Sequence, residues 1–186
     1  MPHGDDTHGS ESALLILAPA ADPLVGPHRA RLDLSARDGV PAHLTVLYPF
    51  LPPERIGPGE LSDLTRLFSG FRAFEFTLDR VGWFGDDVAW LGPADEAPFR
   101  ALTGLACAAY PSCPPYGGVH EDVVPHLTIG HLGGPDALRA AAGLVRPGLP
   151  VTATAAEVTL WAGPRAAGRD TPAPWASLAT FPLGGS

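Results

Sequence analysis

Two stretches of this chain carry residues that could move protons. They are Pro41-Ala42-His43-Leu44-Thr45-Val46-Leu47-Tyr48 and Val124-Pro125-His126-Leu127-Thr128-Ile129-Gly130-His131. Each holds His-Leu-Thr with a proline just ahead and an aliphatic residue just after. An imidazole titrates nearest to neutrality of all side chains, so it takes or gives a proton at working pH. Two of them across one site suit paired catalysis, one as a neutral acceptor and the other as a protonated donor. A threonine two residues on adds a hydroxyl on a stiff, β-branched stem. Together these parts fit a phosphodiester. One histidine activates water or a ribose hydroxyl, the other protonates the leaving oxygen, and the Thr45 and Thr128 hydroxyls hold the non-bridging oxygens. No cofactor or metal is required.

Both stretches are apolar, β-branched and free of helix caps, so both read as short strands. With a side-chain period of two, His43 and Thr45 share one face while Leu44 and Val46 take the other. His126 and Thr128 stand in the same way against Leu127 and Ile129. A single His-x-Thr on a strand is usually a satisfied polar pair; two copies in equivalent surroundings are much harder to obtain by chance. A zinc site built from His43, His126 and a third ligand such as His120 or His131 is the competing chemistry. Against it, no tight ligand spacing occurs, and a regular strand would turn His131 away from His126.

The rest of the chain must position these groups. At 186 residues, 45% hydrophobic and 17% charged, it can bury a sizeable core. The net charge of −8, with all 12 basic residues arginine, argues against a duplex-DNA surface but leaves room for a small anion held by local donors. Cys107 and Cys113 are expected as reduced thiols. No apolar run is long enough to cross a membrane, and Ala13–Ala21 lacks a basic flank, so the expectation is a cytoplasmic monomer without a membrane partner.

In order, residues 1–12 read as a loose tail and Ala13–Ala18 as a buried strand. A helix from Asp22-Pro23 to about Ala36 follows, with His28, Arg29 and Arg31 on its solvated face. After the first His-Leu-Thr strand come a helix over 60–68 and a hairpin of Phe71–Trp83 and Val88–Leu91, turning at Gly85-Asp86-Asp87. Trp83, Phe84 and Trp90 belong to its packing. Glu96–Tyr110 is helical, Tyr110–Asp122 is a Pro/Gly loop, and the second His-Leu-Thr strand leads to a helix over 135–145. Strands over 151–161 and 175–183 complete the chain, joined by a loop carrying Arg165 and Arg169. The order β-α-β-α-β-β then α-β-α-β-β is an internal duplication. It predicts a single α+β domain of two lobes, roughly 13–93 and 94–186, related by a pseudo-twofold. Two mainly antiparallel sheets with outer helices would flank a central cleft. Tyr116, in the loop, and Trp161, sharing a face with Thr159, are candidates to line that cleft and stack on a base. Tyr48, opposite His43 by parity, is expected to pack.

The paired motifs resemble those of the 2H phosphoesterase superfamily, which includes 2′-5′ RNA ligase-like proteins and cyclic phosphodiesterases. The segment Pro41–Phe50 is similar to the Pro-x-His-x-Thr-x-x-Tyr-Pro-Phe motif of a bacterial branch, and the likeness extends from about Ala13 to Leu183. It implies a bilobal α+β fold and metal-independent phosphoester chemistry at His43, Thr45, His126 and Thr128. The expected substrate is a small nucleotide or an RNA terminus with a 2′,3′-cyclic or 2′-5′ linkage. The alternative is a protein that binds a nucleotide or RNA end without turnover.

Overall fold

The computed structural model describes residues 9–119, 123–165 and 171–184. The strands are β1 (Ser10–Leu17), β2 (His43–Leu47), β3 (Phe74–Phe84), β4 (Val88–Pro93), β5 (Leu127–Gly130), β6 (Val151–Ala155), β7 (Glu157–Pro164) and β8 (Ala176–Pro182). The helices are α1 (Asp22–Leu32), α2 (Leu34–Arg37), α3 (Pro58–Ser69), α4 (Ala97–Ala109) and α5 (Gly134–Val145). They build an α+β fold with two four-stranded sheets, ordered β2-β1-β7-β8 and β5-β4-β3-β6, in which the paired strands are antiparallel.

Each sheet takes strands from both halves of the chain. The lobes therefore do not follow the segments 13–93 and 94–186. The reason lies at Ala156, where the strand expected over 151–161 splits into β6 and β7. β6 pairs with β3 in one sheet, and β7 pairs with β1 and β8 in the other. The pseudo-twofold survives this exchange. β1-α1-β2 in one sheet answers β4-α4-β5 in the other, and the two histidine strands are the edges that meet. The connecting helices cross over: α1 packs on β5 and α4 packs on β2.

The alternation of β2 and β5 puts Leu44, Val46, Leu127 and Ile129 into the core with Leu14, Ile16, Leu64, Phe68, Leu91, Leu102 and Phe181. Each such side chain contributes about 1.5–3 kcal/mol when fully buried. His43, Thr45, His126 and Thr128 stay partly exposed on the opposite faces.

Three expectations change at the start of the chain. Ser10–Ser12 belong to β1 and not to a tail, because they pair with Ala162–Pro164 and the Ser12 hydroxyl donates to the Leu51 carbonyl at 2.6 Å. Met1–His8 lie outside the described residues. The helix expected to reach Ala36 stops at Leu32. Asp33 turns extended there, and its carboxylate accepts from Ser35 N at 3.0 Å to start α2. Arg29 is not on a solvated face. It is 2% exposed, its guanidinium bonded to the equally buried Asp33 carboxylate at 2.8–2.9 Å. Helical spacing of four residues brings the two together, and burial makes each depend on the other. Replacing Arg29 by Met leaves the Asp33 charge buried without its counter-ion. Urea unfolding of Arg29→Met should show a loss of about 3–5 kcal/mol; a loss below about 1 kcal/mol would contradict the buried pairing.

Candidate active site

The site is built where β2 and β5 meet. Each imidazole is fixed by its own chain. His43 Nδ1 donates to the Pro41 carbonyl and His126 Nδ1 donates to the Val124 carbonyl, both at 2.8 Å. A carbonyl only accepts, so Nδ1 carries the proton in both rings and each Nε2 is left with its lone pair. The second copy reproduces the first, two residues back in each case.

Both rings are held neutral at ordinary pH. Burial pushes the His43 pKa down to about 4, helped by the Arg29 charge and opposed by the Pro41 hydrogen bond and Asp33; His126 lowers it further. Burial likewise lowers His126, against the Val124 hydrogen bond. Phe84 packs edge-on to the His126 ring at 4.9 Å between centroids, with Trp90 at 6.0 Å behind. The two hairpin aromatics assigned to packing are thus the wall of the second imidazole. Gly82 allows it, since a Cβ there would stand 2.2 Å from the Trp90 ring.

Both strands break their alternation at the same place. In β2, Leu15 faces Thr45 but Leu14 faces Leu47, so Val46 is an extra residue. In β5, Trp90 faces Thr128 but Ala89 faces Gly130, so Ile129 is extra. A bulge of this kind re-aims the side chains beyond it. It turns Tyr48 and His131, each five residues after its histidine, onto the working face. Parity, which assumes regular strands, put both on the opposite face, and the two bulges change that; Tyr48 still packs, as expected, against Ala13, Leu15 and Val40. The Tyr48 hydroxyl donates to Glu11 Oε1 at 2.6 Å. Burial raises the Tyr48 pKa, and the bond to Glu11 adds to the rise. His131 Nδ1 lies 3.6 Å from Asp33 Oδ1, and its backbone N–H donates to the Leu32 carbonyl at 2.7 Å. Gly130 is required next to it, because a Cβ would sit 2.6 Å from Leu32 Cβ.

Two cavities adjoin at the cleft. One, about 200 Å3, has His43, Thr45, Tyr48 and His131 in its lining. The other, about 520 Å3, is lined by Phe84, Tyr116, His126, Thr128 and His131 among others. His131 borders both. Tyr116 spans the junction. Its backbone N–H donates to the Tyr48 carbonyl at 2.6 Å, its hydroxyl is hydrogen-bonded to Thr45, and its φ of 50° is left-handed. Trp161 packs in an apolar cluster with Ala13, Leu15 and Val40, its Nε1 donating to Thr159 Oγ1 at 3.1 Å, and lines neither cavity. Arg165 Nε lies 3.7 Å from Glu11 Oε2; Arg169 and His120 are outside the described residues. Among the described residues, no group of three or more His, Cys, Asp or Glu is placed to hold a metal ion, Cys107 and Cys113 are free, and no helix is long and apolar enough to cross a membrane.

The four residues that the sequence singled out line the two adjoining cavities, His43 and Thr45 in one and His126 and Thr128 in the other. Sequence reasoning missed Phe84, Glu11 and Asp33. The only signal for the carboxylates was burial of charged residues within otherwise apolar segments, which the sequence does not display.

The fold is shared with solved structures of very different sequence. Escherichia coli LigT complexed with 3′-AMP superposes with a TM-score of 0.60 at 20% identity, covering 94% of this chain and 98% of that one. LigT complexed with NADP+ gives 0.57 at 20% identity, covering 95% and 99%. TT0787 of Thermus thermophilus gives 0.60 at 19% identity, covering 93% and 97%. Among curated proteins none matches this chain. The family model described as the 2′-5′ RNA ligase superfamily matches residues 17–166, which span both histidine strands and most of the chain. The chain belongs to the 2′-5′ RNA ligase superfamily.

Proposed function

We propose that this protein is a 2H-type phosphodiesterase acting without a metal on small RNA-derived or nucleotide substrates with a 2′,3′-cyclic or 2′-5′ linkage. The observation that carries the reading is the matched pair of Nδ1-to-carbonyl bonds, which leaves two Nε2 atoms as the reactive positions of adjoining cavities. The neutral imidazole accepts a proton at Nε2 from water or a ribose hydroxyl as its oxygen attacks phosphorus. The protonated one donates from Nε2 to the departing oxygen. The two rings end with their protonation states exchanged. Thr45 and Thr128 donate to the non-bridging oxygens, and His131 borders the same space. That LigT structures hold 3′-AMP, NADP+ and ATP supports a nucleotide as the ligand here.

His43→Ala and His126→Ala should each lower hydrolysis of a nucleoside 2′,3′-cyclic phosphate by about 10²–10⁴-fold, the usual contribution of a general acid or base. Circular dichroism should be unchanged and wild-type activity should persist in EDTA. Full activity in either variant would overturn the reading. Retained nucleotide binding with no product from the wild type would favour binding without turnover. The His131 ring offers a donor to the phosphate, so His131→Ala should raise KM about tenfold, the loss of one charged hydrogen bond; an unchanged KM would remove it from the site.

The pH dependence follows from the lowered pKa values. The active form needs one imidazole protonated and one neutral. Both titrate below the ordinary 6.5 in the free protein, so kcat/KM should be bell-shaped with its centre on the acid side of 6.5. The same shifts act on stability. The unfolded chain takes up protons near 6.5 that the folded histidines refuse until lower pH, so stability should fall as pH drops from 6.5 towards 4. A rate profile centred above about pH 7 would contradict this assignment.

A further inference from the structure

Thr45 is the hydroxyl that β2 turns to the cleft, and it has a partner from a distant segment. Tyr116, in the turn Pro115–Gly118, is tied to this strand and to the residue that follows it. Its backbone N–H donates to the Tyr48 carbonyl at 2.6 Å, and its hydroxyl is hydrogen-bonded to Thr45. The Tyr116 ring meets the Tyr48 ring edge-on, with 6.3 Å between centroids. Thr45 lines the cavity of about 200 Å3 and Tyr116 the cavity of about 520 Å3, so the bond between the two hydroxyls crosses from one to the other.

The backbone is held in an unfavourable conformation to put the ring there. Tyr116 has φ 50° and ψ 34°, and among the described residues it is the one residue other than glycine with a positive φ. A side chain with a Cβ persists in this left-handed region only where its surroundings over-determine it. The surroundings do so from both sides. Cys113 is buried in the main core and its N–H donates to the Tyr110 carbonyl at 2.9 Å, while the Tyr110 ring packs edge-on to Phe50 at 4.9 Å. Gly117 and Gly118, with φ of 65° and 77°, turn the chain away directly after.

A count of protons gives the hydroxyl pair its direction. An ionised phosphodiester oxygen only accepts. Thr45 has one hydroxyl proton, and once that proton goes to the phosphate, Oγ1 can only accept from Tyr116. The phenol must then supply the proton between them. Burial raises the Tyr116 pKa, against the Thr45 hydrogen bond, so the phenol keeps its proton at working pH. A hydroxyl that accepts one hydrogen bond donates the next more strongly. A lone threonine hydroxyl rotates to suit its neighbours; a fixed donor to Oγ1 removes that freedom.

We propose that Tyr116 is a positioning residue for the substrate phosphate: its hydroxyl donates to Thr45 Oγ1 and so aims the Thr45 proton at a non-bridging oxygen. The inference rests on the phosphodiester reading of the same cleft and deepens it, because it makes the two threonines unequal. The tyrosine acts through Thr45 and not through Thr128.

The test is a set of double-mutant cycles read in kcat/KM for a nucleoside 2′,3′-cyclic phosphate. Tyr116→Phe keeps the ring and removes the hydroxyl. It should lower kcat/KM about tenfold in the wild type, the loss of one hydrogen bond, with circular dichroism unchanged. In Thr128→Val it should cost the same factor. In Thr45→Val it should cost nothing further, since no hydroxyl remains to be aimed. The same cycles in the Kd of a nucleoside 3′-monophosphate should show the same pattern, which covers a Thr45→Val protein too slow to assay. A tyrosine that only holds the turn together would give equal losses in all three backgrounds. That result, or an unchanged or raised kcat/KM in Tyr116→Phe, would overturn the role while leaving the phosphodiester reading intact. A wild type that turns over no cyclic nucleotide would overturn both.

Discussion

A backbone carbonyl accepts hydrogen bonds and never donates them. At Pro41 and Val124 that limitation decides the chemistry of the whole cleft. It forces the proton of each neutral imidazole onto Nδ1 and turns each Nε2 lone pair outward. The bonds are short-range, reaching only two residues back, so each strand fixes the tautomer of its own histidine through its own backbone. Burial lowers the pKa of both rings and so favours their uncharged form. Neither effect would matter if the strands were apart. The fold brings these two edges into contact.

It does so by exchange. Each connecting helix leaves one sheet and packs on the histidine strand of the other, and the chain returns between sheets at Ala156. The joints are made at the strand ends. The Leu32 carbonyl, at the end of α1, accepts from His131 N and Leu132 N, and Tyr116 N donates to the Tyr48 carbonyl. The same point in each strand carries the extra residue, Val46 or Ile129, that turns the following ring into the cleft. Two carboxylates wait there, Glu11 for Tyr48 and Asp33 for His131. The duplicated motif is thus longer in space than in sequence: an imidazole, a hydroxyl and a ring five residues on, each ring near a buried carboxylate.

Much of this was legible beforehand because it depends on period and type. Alternation placed Leu44 and Val46 inward and His43 and Thr45 outward, and the repeat of His-Leu-Thr marked both halves of the site. What stayed hidden depends on contacts between distant segments. A bulge leaves no mark in a run such as Thr-Val-Leu-Tyr, since it arises from the register with β1. Arg29 looks like a solvated helix residue until α1 is laid on β5. The split at Ala156 cannot be read because either strand could continue through it; only its two sets of partners separate β6 from β7. Trp161 is a plausible cleft residue in sequence, and only packing sets it against the Ala13, Leu15 and Val40 cluster.

The central claim is that both imidazoles present an unprotonated Nε2 to one shared ligand. It is tested most directly by 15N NMR of the histidine side chains at neutral pH, with and without a nucleoside 3′-monophosphate. The account predicts that His43 and His126 both show a protonated Nδ1 and a bare Nε2 in the free protein, and that both Nε2 resonances move on binding. A protonated Nε2 in either free ring, or a response confined to one of them, would contradict it.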